Sequence, residues 1–406
     1  MNNSRQGARG NNLDTVRKHN LSTVLWLVHR GRSVSRSRLT EETGLNRSTI
    51  AALVSELVGA GLVIESEPAA TNRVGRPSPV VAPDARVVAI AVNPEIDAVT
   101  VGVVGLDGTV HHRVRRATDR VPTAAEAVGI VASVIEELRA ELASFSRVVG
   151  IGVAVPGLVR TDDGTVRLAP HLAWVDEPFA HDLADATGFR VLAANDASLG
   201  ADAERLFGAG IQSSDLVYLN GGASGVGAGV VAGGTPLTGI AGYAGEFGHT
   251  LVNSGGVRCH CGAIGCLDTE VNQGALLRVL GLESADIDEI DRALAASESP
   301  EVAAEVERQL GFLAVALRNA VNVFNPQLIV LGGFLGSLLE AAPTRLESLV
   351  ADTVLTAAGE SLRIARAELG SNLLMVAAAE LAFAPLLADP AASAHRVPPG
   401  RHGVGH

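Results

Sequence analysis

The chain has 406 residues and a net charge of −12, with 47% hydrophobic residues but only 3% aromatic ones. This length favours two or three domains, and the scarcity of aromatic residues favours cores of small aliphatic side chains, as in α/β folds. The N-terminus lacks the apolar segment of a signal peptide and we find no apolar run long enough to cross a bilayer, so we expect a cytoplasmic protein with no membrane partner.

Positive charge is concentrated at the N-terminus. Residues 1–80 contain eleven Arg or Lys and six Asp or Glu, a net charge of +5, which leaves −17 for the remainder. A basic segment attached to an acidic body is typical of a domain that binds a polyanion.

The first predicted elements are three helices, beginning with one from Leu13 to Val28. Ser35 is a suitable N-cap for a second helix, which Gly44 ends, and Asn46 is a suitable N-cap for a third. The apolar side of the third helix is predicted to comprise Ile50, Leu53, Leu57 and Val58. Helix, glycine-containing turn and helix form the helix-turn-helix pattern.

Two strand-like segments follow the helices, at 62–64 and 79–81, and the loop between them contains Arg73-Val74-Gly75-Arg76-Pro77. This arrangement predicts a β-wing. Residues 12–82 are therefore predicted to form an α+β winged helix-turn-helix domain that binds double-stranded DNA, preceded by a disordered arm at 1–11. The alternative is a small helical interaction module with solvated arginines.

The residues expected to contact DNA lie at the start of the third helix and at the wing tip. Arg47 suits a guanine edge or a phosphate, and Ser48 and Thr49 suit phosphates or either base. Arg76 is placed where it can enter a narrow minor groove.

From residue 86 onward, strand-like and helical segments alternate. Strands are predicted at 87–92, 99–104, 110–116, 148–155, 191–194, 217–219 and 328–331, with a helix at 124–142. This alternation indicates an α/β architecture with layered sheets.

All three cysteines of the chain lie within eight residues, and a histidine precedes them. His249, Cys259, Cys261 and Cys266 supply one nitrogen and three sulfur donors, a set that suits one structural zinc ion per chain. The alternatives are three free cysteines, or one disulfide and one free thiol. His260 could also replace one cysteine as a ligand, although the outer spacing favours His249.

Several motifs in this body resemble those of the ROK family of repressors, open reading frames and kinases, and with the basic head they resemble its transcriptional-regulator branch, of the N-acetylglucosamine and xylose repressor type. The matching motifs are Gly150-Ile151-Gly152-Val153-Ala154-Val155-Pro156-Gly157, Trp174, Asn195-Asp196-Ala197, Ser224-Gly225-Val226-Gly227, Ala244-Gly245-Glu246-Phe247-Gly248-His249, the cysteine cluster, Asn325-Pro326 and Leu331-Gly332-Gly333.

The resemblance implies an actin-like, ribonuclease H-like domain of two lobes at 83–388, with a sugar in the cleft between them. Lobe one would comprise about 83–195 and a C-terminal helix at 372–388, lobe two about 196–371, and 389–406 a disordered tail. The family's sugar contacts correspond to Asn195, Asp196, Glu246, His249 and Asp268. Taken alone, Glu246 could also be a surface acid, and Asp196 the N-cap of a helix at 197–206.

The chain departs from the family pattern at its first strand pair. Where the kinases have a glycine-rich phosphate loop, this chain has Pro94, Glu95 and Asp97. Proline lacks an N–H and the two carboxylates would repel a triphosphate, so we predict no ATP binding and no enzymatic activity. Asp268 replaces the usual Glu, with Glu270 two residues further on, and His171 replaces a common Asn.

Three hypotheses follow. The first is a repressor of carbohydrate uptake or catabolism genes that binds an inverted-repeat operator as a homodimer or homotetramer and is released by a sugar or phosphosugar. The second is a sugar kinase with an added DNA-binding head, and the third a ligand-independent DNA-binding regulator. The altered phosphate loop and the retained polar residues favour the first.

Overall fold

The computed structural model describes residues 6–67 and 78–391. The N-terminal domain combines three helices with a three-stranded antiparallel sheet of order β1-β3-β2. Its elements are α1 (Gln6–Gly31), β1 (Val34–Ser35), α2 (Arg36–Thr43), α3 (Arg47–Gly59), β2 (Val63–Ser66) and β3 (Val80–Pro83).

The short helices of this domain begin and end as their side chains predict. Ser35 accepts the N–H of Arg38 at the start of α2, and Gly44 ends that helix in the left-handed conformation with φ of 68°. Asn46 accepts the N–H of Thr49 at the start of α3. These local bonds confirm the predicted caps.

Two predictions for this domain differ from the structure. Val58 was expected on the buried side of α3 but is 41% exposed, whereas Val54 is fully buried. Both positions are apolar, so the sequence pattern alone does not decide between them. In addition, α1 begins at Gln6, so residues 6–11 are helical rather than a disordered arm, since extending an existing helix is easier than starting one. The wing segment with Arg76 lies outside the described residues.

Lobe one is built on a five-stranded sheet of order β11-β7-β4-β5-β6, in which β11, β7 and β4 are parallel. The antiparallel hairpin of β4 and β5 is buried throughout, in keeping with its run of Val and Ala. The predicted helix at 124–142 is interrupted at Leu138. The elements are β4 (Val87–Pro94), β5 (Ala98–Gly105), β6 (Val110–Ala117), α4 (Ala124–Glu137), α5 (Arg139–Ser144), β7 (Arg147–Val155), α6 (Phe179–Thr187) and β11 (Val191–Asn195), with a small sheet of β8 (Leu158–Val159), β9 (Val166–Ala169) and β10 (Trp174–Glu177).

Lobe two follows α7 (Asp196–Phe207) and has a second five-stranded sheet of order β14-β13-β12-β15-β16. Its strands are β12 (Leu216–Gly222), β13 (Gly225–Ala232), β14 (Thr235–Pro236), β15 (Leu328–Gly333) and β16 (Arg363–Arg366). Its helices are α8 (Leu267–Glu270), α9 (Gln273–Leu280), α10 (Ile287–Ala296), α11 (Pro300–Phe324), α12 (Phe334–Ala341), α13 (Pro343–Ala351) and α14 (Thr356–Gly359). Two sheets, each covered by helices, confirm the predicted α/β class.

The last helix, α15 (Leu373–Ala388), returns to lobe one and packs on β4, β7 and α7. At Gly152 of β7 an added Cβ would lie 1.8 Å from the carbonyl oxygen of Ala378, so only glycine permits this approach. The helical stretch Gly370–Ala388 is long and apolar enough to span a membrane by composition, but 61% of it is buried inside the protein. This stretch was not predicted as an apolar run because the charged residue Glu380 interrupts it.

The N-terminal domain shares one hydrophobic cluster with lobe one. Buried residues of α1, α2 and α3 are continuous through α15 with those of β4 and β7, including Leu25, Leu39, Ile50, Ala91, Ala154, Phe383 and Leu386. Within this contact His29 of α1 is fully buried and lies 2.8 Å from the Glu380 carboxylate of α15. The N-terminal domain therefore packs on lobe one through a shared hydrophobic core.

Candidate ligand cleft and metal centre

A cleft of about 470 Å³ gathers the five residues that the sequence marks as ligand contacts. They arrive from separate elements: Asn195 and Asp196 at the junction of β11 and α7, Glu246 and His249 from the loop after β14, and Asp268 from α8. The carboxyl end of a parallel strand is where α/β folds place their crevices. The structure thus brings together all five positions.

Asn195, rather than Asp196, is the N-cap of α7. Its Oδ1 accepts the N–H of Ser198 at 2.9 Å, and its Nδ2 donates to the Gly157 carbonyl at 3.1 Å. Asp196 is the first helical residue and accepts the N–H of Ala197 at 2.8 Å. Asn195 therefore holds the strand–helix junction in place, and Asp196 presents its carboxylate to the cleft.

Burial and a neighbouring charge raise the pKa of two carboxyl groups of the cleft, Asp196 and Glu246. Desolvation raises the pKa of Asp196 to about 7, and the charge of Glu246 adds to this effect. Glu246 stands in the exposed rim of the cleft, where partial desolvation and the charge of Asp268 raise its pKa. Asp268 is held by the N–H of Val226 at 2.7 Å. The cleft is a ring of hydrogen-bond acceptors for hydroxyl groups.

Asn220, which was not predicted from the sequence, also lines this cleft. Its signal is a polar residue at the end of the apolar strand β12, directly before two glycines. His171 and His260 line the cleft as well, with ring centroids 5.6 Å apart. Glu270, in contrast, is turned away, because it pairs with Arg308 at 3.5 Å.

Trp174 is buried in the core of lobe one and is not among the described residues that line the cleft. Its side chain is 1% exposed, its indole N–H donates to the Pro122 carbonyl at 2.9 Å, and its ring lies 4.9 Å from that of Phe179. It supports the small sheet of lobe one from inside the core.

The four predicted metal ligands form a compact cluster at the edge of the cleft. The ligand atoms of His249, Cys259, Cys261 and Cys266 all lie within 4.8 Å of one another. A tetrahedron with zinc–sulfur bonds of about 2.3 Å has edges of about 3.8 Å. The Cys261 and Cys266 sulfurs are 3.6 Å apart, and the Cys259 sulfur lies 3.7 Å from Nδ1 of His249. The donor set and its spacing fit zinc.

The alternatives to this site fit less well. The sulfurs of Cys261 and Cys266 are too far apart for a disulfide, whose bond is about 2.05 Å. His260 lies 3.7 Å from Cys259 but belongs to a second group with His249 and Asp268 rather than to the three-sulfur cluster. Burial raises the pKa of the Cys266 thiol to about 12, so a bound cation would supply the charge that stabilises its thiolate.

A second cleft adjoins the first and shares Asn220 with it. It is lined on one side by Asn93 and Glu95 and on the other by Gly332 and Gly333. Glu95 and Asp97 both pair with Arg115, at 3.1 and 2.8 Å, so two carboxylates share one guanidinium. Because both carboxylates pair with Arg115, their repulsion of a triphosphate is weaker than the sequence predicts. A carboxylate nevertheless lies where N–H groups would be needed to bind a phosphate.

The start of α3 is open to solvent in the described part of the chain. Arg47 and Ser48 are exposed and Thr49 is half-buried. The Ser48 hydroxyl donates to Oδ1 of Asn46 at 2.7 Å, so it also supports the cap. Arg47 is thus the residue of this set that is freest to reach a base edge.

Comparison with known proteins identifies relatives over most of the chain. Residues 90–384 match the sequence profile of the ROK family. The xylose repressor of Bacillus subtilis is 27% identical over 363 residues, which cover 88% of this chain and 93% of that protein. The crystal structure of a ROK family transcriptional regulator, a homologue of the E. coli MLC protein, superposes with a TM-score of 0.76 and 25% identity, covering 92% of this chain and 97% of that one.

Kinases also match, over a shorter stretch. The glucokinase of Halalkalibacterium halodurans is 33% identical over 207 residues, 47% of this chain and 62% of that protein. The repressor and the regulator structure therefore cover 88% and 92% of this chain, whereas this kinase match covers 47%.

Proposed function

Because the chain belongs to the ROK family, we propose that it is a sugar-responsive transcriptional repressor of carbohydrate genes. Its N-terminal domain binds operator DNA, and a sugar bound between Asn195, Asp196, Glu246, His249 and Asp268 releases it. The observation that carries this proposal is the docking of an N-terminal domain of three helices and a three-stranded sheet, with Arg47 exposed at the start of α3, on a body whose cleft gathers five polar side chains.

The charge of the cleft supports an unphosphorylated sugar as the effector. Among the described residues, its lining includes the carboxylates of Asp196, Glu246 and Asp268 but neither lysine nor arginine. Carboxylates accept hydroxyl hydrogen bonds strongly and repel a phosphate. The arginines that line the adjoining cleft are Arg113 and Arg366, and Arg366 is already paired with Asp291 and Glu340. An uncharged sugar therefore suits this site better than a phosphosugar.

The altered phosphate loop supports a regulator rather than a kinase. Asp196, at the position of the family's catalytic base, has a pKa of about 7 that would suit a general base. Phosphoryl transfer also requires the triphosphate to be positioned and neutralised. Pro94 and Glu95 supply neither N–H donors nor positive charge there. We expect sugar-dependent ATP turnover to be absent.

The proposal includes a structural zinc ion and paired subunits. Zinc held by His249, Cys259, Cys261 and Cys266 would brace the loop that carries Glu246, because His249 belongs to both sites. Two heads on a two-fold homodimer, or on a homotetramer, would read an inverted repeat. We propose an N-terminal domain that extends from the start of α1 at Gln6 to about residue 82, a sugar-binding domain at 83–388, and the cytoplasm as the site of action.

The experiment is a thermal-shift screen followed by DNA binding. A sugar that binds the native state raises the melting temperature. D-xylose and D-glucose are compared with their phosphate esters, and each is then titrated into a complex with a duplex selected from random sequence. We expect an unphosphorylated sugar to raise the melting temperature and weaken DNA binding, and Glu246→Ala to lose both effects.

Three outcomes would contradict the proposal. If Glu246→Ala keeps the full sugar response, the ligand site lies elsewhere. If a phosphate ester binds more tightly than its parent sugar, the charge argument is wrong. ATP turnover that depends on sugar and is lost in Asp196→Asn would establish a kinase.

A further inference from the structure

Helix α7 joins the ligand cleft to the DNA-binding domain in one element. It begins at Asp196 in the cleft and ends at Phe207, and its 12 residues span about 18 Å. At its end the Phe207 ring lies 5.4 Å from the ring of His29 in an edge-to-face arrangement, and the guanidinium of Arg32 lies 4.9 Å from the same ring. Both partners lie at the end of the α1 segment, so α7 directly contacts the domain that carries α3.

Close packing attaches α7 to lobe two. At Gly227 of β13 an added Cβ would lie 2.8 Å from the Ala197 side chain, and at Gly229 it would lie 2.7 Å from the Ala197 carbonyl oxygen. The absence of side chains at these two glycines lets the helix lie directly on the strand. Because α7 also packs on α15 of lobe one, a rotation of lobe two would slide α7 along α15.

A buried carboxylate fixes the far end of α7 to the crossing between the lobes. Glu204 is fully buried, and its two oxygens accept the N–H groups of Ala209, Glu368 and Leu369 at 2.9, 3.2 and 2.9 Å. Glu368 and Leu369 lie between β16 of lobe two and α15 of lobe one. The end of α7 is thus held where the chain passes from one lobe to the other.

The N-terminal domain is attached differently, through its shared core with α15 of lobe one. A change in the angle between the lobes would displace Phe207 against His29 and Arg32 rather than move all three together. From these contacts we propose that α7 is the mechanical link between sugar and DNA: a sugar bound at Asp196 shifts α7 with lobe two, and Phe207 transmits the shift to α1.

This inference rests on the proposed function and is tested at the contact itself. Phe207→Leu keeps an apolar side chain but removes the ring, and Arg32→Gln removes the opposing guanidinium. Arg30→Gln is the matched control, because Arg30 carries the same charge two residues away but lies over Trp26 of its own helix, 5.3 Å from that ring. For each protein the dissociation constant for the selected duplex is measured with and without D-xylose or D-glucose, whichever stabilises the wild type.

We expect sugar to weaken duplex binding about tenfold in the wild type and in Arg30→Gln. In Phe207→Leu and Arg32→Gln the dissociation constant for the duplex should rise less than about twofold when sugar is added. The sugar affinity of the free protein should stay within about twofold of wild type. If sugar still weakens duplex binding about tenfold in both variants, or if Arg30→Gln loses this effect equally, then α7 is not the link. The proposed repressor function would be unaffected by either result. If neither sugar binds the wild type, the repressor proposal and the link are both wrong.

Discussion

The buried pair between His29 and Glu380 offers a sharp test of how the DNA-binding domain is held. The two side chains are 1% and 6% exposed, and Nε2 lies 2.8 Å from the carboxylate. Removing one partner of such a pair leaves the other desolvated and destabilises a protein by about 3–5 kcal/mol. We therefore expect Glu380→Gln to lower the free energy of unfolding by about 3 kcal/mol.

The same two helices provide the control. Lys18 of α1 pairs with Asp389, just beyond α15, at 3.3 Å, but these side chains are 59% and 35% exposed. Exposed ion pairs contribute about 0–1 kcal/mol to stability, so Lys18→Gln should change the free energy of unfolding only slightly. Urea unfolding is followed by tryptophan fluorescence, to which Trp26 of α1 and Trp174 of lobe one both contribute, and by circular dichroism. Equal losses in the two variants, or a loss below about 1 kcal/mol in Glu380→Gln, would refute the reasoning.

The pair between His29 and Glu380 also predicts that the free energy of unfolding depends on pH. Burial opposes the charged form of His29, but the Glu380 carboxylate and the Leu106 carbonyl outweigh it and raise its pKa. A raised pKa means that the stabilising charge is fully present below about pH 6.5 and is lost as the pH rises through the folded-state pKa. The difference in unfolding free energy between wild type and Glu380→Gln should therefore be largest in mild acid and shrink toward alkaline pH. A difference independent of pH would mean that the pair is not ionic.

Four further predictions concern the metal, the core, the cleft and the DNA contact. Cys261→Ser should lower bound zinc well below one equivalent by elemental analysis and weaken the sugar response; wild-type protein without zinc would contradict the site. Gly152→Ala should destabilise the fold by about 3 kcal/mol in urea unfolding, whereas Gly129→Ala, where an added Cβ meets no atom within 4 Å, should be neutral or stabilising. Sugar affinity, measured by calorimetry, should rise as the pH increases through about 7, because ionised Asp196 accepts hydroxyl groups; the same slope in Asp196→Asn would assign it to another group. Arg47→Ala should weaken binding to the selected duplex by about 1–3 kcal/mol, and an equal loss on unrelated DNA would make Arg47 a phosphate contact.

Features that depend on neighbouring residues could be predicted from the sequence. The caps at Ser35 and Asn46 depend on a side chain and an N–H two or three residues away, so local chemistry identifies them. The cysteine cluster lies within one short segment, and its ligand geometry follows from spacing. At Asn195 and Asp196 the sequence left open a cap at Asp196, whereas the structure has the cap at Asn195, because either side chain can accept an N–H at a helix start.

Features that depend on residues far apart in the chain could not be predicted. His29 and Glu380 are separated by 351 positions, and neither has a local pattern that marks it as buried. The contact between Phe207 and His29 of α1 also joins residues that are far apart in the chain. Asn220 could have been noticed as a polar residue before two glycines, but only the fold shows that two clefts share it.

The hydrophobic cluster shared by the N-terminal domain and lobe one limits how such regulators can be recombined. A DNA-binding domain that folds as an independent module can be exchanged between proteins by cutting at a linker. Here a cut near residue 84 would separate Leu25 and Val28 from Phe383, which belongs to the same hydrophobic cluster. Transplanting a new operator specificity onto this body would succeed only if the graft preserved the α1 surface, or if matching residues of α15 travelled with it.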